Sequence, residues 1–123
     1  MAKIERFEEL QSWQKARQLA NQIYELTNHT GFAKDFRLRD QINDAAGSVM
    51  HNIAEGFDAG SNLEFIRFLK MSRCSASEVQ SQLYLALDRK YINNDQLNIA
   101  YSLATETNRL INGMIAYLRK SSS

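Results

Sequence analysis

Residues 36–57 read FRLRDQINDAAGSVMHNIAEGF, and they set Leu38, Ile42, Ala45, Val49 and Ile53 along one line at steps of three and four. That spacing is the 3.6-residue period of an amphipathic helix, whereas a half-buried strand would alternate every second residue. The same period runs through the preceding segment, where Phe7, Leu10, Trp13, Ala16, Leu19, Ala20, Ile23 and Tyr24 predict a helix over 7–27. A break follows at Asn28, His29, Thr30 and Gly31, with Gly31 expected to take the left-handed conformation that ends a helix. Phe32 and Phe36 are expected to pin this connector to the core.

On the other side of 36–57, Gly56 and Gly60 are expected to supply a turn. Ser61 stands three residues before Glu64, a capping-box arrangement that opens a third helix running to about Lys90. Its core line is Phe65, Leu69, Ser72, Ala76, Val79, Leu83 and Ala86. Asn93 or Asn94 caps a fourth helix carrying Leu97, Ala100, Leu103, Ala104, Leu110, Ile111, Met114, Ile115 and Leu118, before a tail expected to fray at 121–123. Four helices, each about 30–45 Å long and joined by short connectors, predict an all-α, antiparallel up-and-down four-helix bundle. The whole chain, 1–123, reads as one domain.

Composition agrees with that architecture and narrows the function. Proline is absent from all 123 residues, so nothing interrupts long helices. The single cysteine, Cys74, excludes an intramolecular disulfide and a paired-cysteine zinc or redox site. With no signal-like or membrane-length apolar run, the chain is expected to be cytoplasmic, with no membrane partner. The formal charge of +1 lacks the basic excess usual in a dedicated nucleic-acid binder, so any such role must rest on a local patch.

No catalytic set emerges. Helical-bundle di-iron sites need a Glu on each of two helices and Glu-x-x-His on the other two, and this pattern is missing. His51 precedes Glu55 by four residues and reads as a solvated or interfacial histidine. Cys74 has Arg73 beside it but no histidine on its helix, and it lies among small packing residues. The expectation is therefore a non-enzyme with no catalytic residues, no metal, no cofactor and no small-molecule substrate.

Helices two and three carry more apolar surface than one bundle core needs. On the second, Ala46, Gly47, Met50, Ala54 and Phe57 widen the core line to about half the cylinder. On the third, Met71, Cys74 and Leu85 lie opposite the core line, with Ser77 and Ser81. These residues predict packing between subunits, that is, a homo-oligomer. Ser48, Asn52 and Glu55 border the second helix's core line, and with Glu78 they are expected to form a buried polar network that fixes register. Arg67, Lys70 and Arg73 fall along one side of the third helix, and Arg37 and Arg39 open the second. Multiplied by symmetry, these five could attract phosphate; the competing reading is a solvated face paired with Asp35, Asp40 and Glu64.

FEELQSWQKARQLANQIYEL (7–26), the 36–57 segment with its NIAEGF ending, EFIRFL (64–69) and SASEVQSQLYLALDRKYI (75–92) together span most of the chain. They resemble the bacterial four-helix-bundle proteins associated with 23S rRNA intervening sequences, a family similar to the accessory variability determinant of diversity-generating retroelements. The resemblance implies a non-enzymatic, barrel-like homopentamer that binds RNA or a nucleic-acid-handling protein. The retroelement proteins are strongly basic and this chain is not, and Cys74 stands where the family commonly has glycine. Near-neutral charge also favours an alternative, a protein-interaction or structural assembly without nucleic-acid affinity.

Overall fold

The computed structural model describes residues 3–121, which are entirely helical or irregular: no strand occurs among them. A 3-10 turn at Phe7–Glu9 precedes α1 (Gln11–Thr27), the short α2 (Thr30–Lys34), α3 (Phe36–Phe57), α4 (Asn62–Asp88) and α5 (Asn94–Ser121). Each of the four long helices packs against the next in chain order, and α5 returns to α1. Their apolar stripes meet in one core, where Leu19, Ile23, Ile42, Ile53, Leu69, Leu83 and Ile111 are fully enclosed. Each such side chain contributes about 1.5–3 kcal/mol relative to exposure.

The α3–α4 contact is the most extensive, and small groups make it so. Gly56 lies inside α3 against Phe65 and Phe68, where an added Cβ would stand 2.7 Å from the Phe68 Cβ. One turn and more along, the buried Ser72 hydroxyl donates to the Val49 carbonyl at 2.6 Å. Those two contacts run α3 and α4 in opposite directions. Gln80 to Thr105 and Arg73 to Asn112 give α4 and α5 the same antiparallel relation.

The helix starts are chemically defined. Asp35 Oδ1 accepts from the Leu38 N–H at the start of α3, and Ser61 Oγ accepts from the Glu64 N–H at the start of α4. Glu64 turns to Arg67 instead of back to Ser61, so the capping box expected there is only half made. A complete one forms at α5: Asn93 Oδ1 accepts from the Gln96 N–H, and Gln96 Oε1 accepts from the Asn93 N–H.

Several expectations are corrected. The first helix begins at Gln11, because Leu10 is extended and the Glu9 carboxylate draws the Glu5 and Arg6 N–H groups into a separate turn. Gly31 is part of α2, and the left-handed residues are Gly60 and Lys90, the latter just past the end of α4 at Asp88. Gly56 belongs to a helix contact and leaves the turn to Gly60. Phe32 is buried and stacks on Tyr91, but Phe36 is 64% exposed beneath the Arg39 guanidinium. Of the tail at 121–123, Ser121 closes α5 and the other two residues lie outside the described residues.

Candidate functional site

The α4 helix is the least one-sided of the long helices, and its outer face carries the largest departure from a solvated surface. Leu63 is 78% exposed, Met71 41% and Leu85 39%, with the exposed Cys74 thiol between them. At 100° per residue these four fall within an arc of about 80° running nearly the length of α4, with the exposed Glu78 inside the same arc. Arg67 stands on the same stripe, paired with Glu64 at 2.9 Å, over the Phe68 ring and against the Met71 sulfur.

The apolar excess of α3 lies largely against the chain's own core, and of the residues expected to pack a second subunit this corrects Ala46. Ala46 is fully buried in the chain's own core, and Met50 and Phe57 pack partly buried against that core. Gly47 and Ala54 are half-buried beside them. The reason is position: α3 meets α2 and the 3-10 turn in addition to α1 and α4, so it needs a wider arc inside the chain than α4, which meets α3 and α5. Asn43, on the same flank as Met50 and Ala54, bonds to Thr27 of α1 and marks which neighbour covers it.

The expected buried polar network is not formed. Asn52 turns its amide to the Ser48 carbonyl of its own helix, Glu55 is exposed, and the exposed Glu78 receives only Gln82. Asn52 sits on the rim of the α3–α4 contact, so its amide reaches its own backbone before any partner across the interface. The basic residues are also partly spoken for. Arg39 pairs with Asp40 and donates to the Ala33 carbonyl, Arg67 pairs with Glu64, and Arg73 donates to Asn112. Arg37 and Lys70 are exposed and form no ion pair among the described residues.

Two arrangements escaped the sequence because their members are far apart in the chain. The first closes one end of the bundle: Asp35 Oδ2 accepts from the Tyr91 hydroxyl at 2.9 Å and from Arg89 at 2.8 Å, while Oδ1 caps α3. The Tyr91 hydroxyl, the Leu38 N–H and Arg89 together hold this carboxyl below the ordinary aspartate range, and the same bond raises the Tyr91 phenol. The second is a shallow polar groove between α4 and α5, lined by Gln80, Tyr101, Thr105, Asn108, Arg109 and Asn112. Gln80 Nε2 bridges the Tyr101 carbonyl and Thr105 Oγ1 in its floor, and Tyr84 meets Tyr101 edge-on at one end. Among the described residues no group of three His, Cys, Asp or Glu side chains could hold a metal ion, and no helix is long and apolar enough to cross a membrane.

Four long antiparallel helices around one apolar core define the class: an all-α bundle. The chain belongs to the 23S rRNA-intervening sequence protein family, whose profile matches residues 8–113. A crystal structure of a protein of unknown function from the S23 ribosomal protein family of Bacteroides thetaiotaomicron is similar: the TM-score is 0.77 at 27% identity, over 85% of this chain and 97% of that one. No curated protein matches the chain.

Proposed function

We propose that the chain is the subunit of a non-enzymatic, cytoplasmic homo-oligomer, a barrel-like pentamer of up-and-down bundles, that binds RNA. The observation that carries assembly is the exposed apolar stripe of α4, formed by Leu63, Met71, Cys74 and Leu85. A helix face of this kind is stabilised when a second helical surface covers it, at about 25 cal/mol per Å² of apolar area removed from water. Membership of a family named for 23S rRNA-intervening sequences supports RNA as the partner. Symmetry would repeat Arg37, Lys70 and Arg73 around the assembly and raise the local potential of a subunit whose own charge is only +1.

Light scattering at micromolar concentration tests assembly, with a mass near five times the 14.1 kDa of one chain expected and a 14.1 kDa particle refuting it. A salt-dependent gel shift with structured RNA, lost on charge reversal of Arg37, Lys70 and Arg73, tests RNA binding. The net charge of +1 favours a second reading, an assembly that contacts only protein, including an RNA-handling protein. An intact oligomer that shifts no RNA at low salt would establish it.

A further inference from the structure

We infer that the α4–α5 groove is a binding site for a single-stranded polynucleotide. This deepens the RNA reading above and rests on it.

The groove has three kinds of wall in sequence along its length. Tyr101, with Tyr84 set edge-on at 5.7 Å, supplies aromatic surface at one end. Gln80, Thr105 and Asn108 supply amide and hydroxyl groups in the middle, and Asn112, Arg109 and Arg73 supply a further amide and two guanidinium groups at the other end. Tyr101 and Asn112 are three turns apart on α5, about 16 Å. Not one carboxylate is among the lining residues. Glu106, the nearest acid in sequence, lies 3.7 Å from both Lys15 on α1 and the groove's own Arg109, so its charge is shared between the two.

Each wall suits one part of an unpaired nucleotide. Aromatic faces stack bases without regard to sequence, side-chain amides bond the base edges freed from pairing, and arginines meet phosphate. Asn108 lines the groove half-buried, and a side-chain amide there carries both the donor and the acceptor that a base edge requires. Arg73 spends one N–H on Asn112 and Arg109 is three-quarters exposed, which leaves both guanidinium groups donors for phosphate. A duplex offers this groove only phosphates, since its bases are stacked and its edges paired.

Fluorescence anisotropy of the full chain with labelled oligo(A) and oligo(U), as RNA and as DNA, and with an RNA duplex, tests the site. The single strands should bind more tightly than the duplex, and a preference for the RNA strands would identify the 2′-hydroxyl as a contact. Tyr84→Ala, Asn108→Ala and Arg109→Glu should each weaken single-strand binding about tenfold or more, an effect equal to roughly 1.4 kcal/mol. Lys34→Glu, a charge-matched change on α2, should leave it unaltered. Thermal melts establish that each variant is folded, and the exposed Arg109 guards the test against instability of the partly buried Asn108. Wild-type binding that survives all three groove variants would overturn the groove while leaving the RNA reading in place. Failure of the wild type to bind any polynucleotide would overturn both.

Discussion

Asp35 shows how one carboxylate can serve as helix cap and as tether between distant parts of the chain. It holds the start of α3 to Arg89 and Tyr91, beyond the end of α4. Because its folded pKa is depressed, its stabilising effect is complete above the ordinary value of about 3.9 and is lost as pH falls through the lower folded value. Asp35→Asn should therefore lower the Tm at pH 7, and the gap from wild type should shrink below about pH 4; parallel melting curves at both pH values would contradict this. Gly56→Ala should destabilise by about 1–3 kcal/mol in chemical denaturation, because its Cβ would overlap Phe65 and Phe68. Asp35 as a cap is a short-range feature, but its link to Tyr91 spans 56 positions and has no local signature. Gly56 likewise looks like punctuation in the sequence, since only the approach of α4 reveals why a side chain is forbidden there.

At the scale of the helices, apolar width had two meanings that periodicity alone could not separate. The broad arc of α3 is consumed by neighbours within the chain, with Ala46 at zero exposure, whereas Leu63, Met71 and Leu85 on α4 stay open. The α3–α4 pair also depends on a buried hydroxyl. Ser72→Ala should cost about 0.5–1.5 kcal/mol, read from the urea midpoint at unchanged m-value, through loss of the bond to Val49. A neutral result would show that the hydroxyl merely fills space. The polar rim of α3 was legible as a rim, but not its bonding, because Asn52 can satisfy itself on its own helix.

For the molecule as a whole, the proposed assembly places its contact on α4. Met71→Glu and Leu85→Glu, both on half-open positions, should shift the sedimentation profile toward the 14.1 kDa subunit while the helical content stays constant. The mechanism is the desolvation of an unpaired carboxylate in an interface. Retention of the wild-type mass in both variants would move the contact to another face. Gln41→Glu and His51→Glu, at exposed positions of α3, serve as the comparison and should leave the mass unchanged.

Periodicity, glycine and asparagine placement and the absence of proline determined by themselves that this chain forms four long helices, each with an apolar stripe for a core. These are local properties: a 3.6-residue repeat and an end cap act over a few residues of contiguous chain. Tertiary structure decided which apolar residues are spare, which arginines are paired, and that α4 and α5 enclose a groove free of carboxylates. Each of those depends on the neighbour a helix face meets, and the neighbours here are set by packing across the bundle.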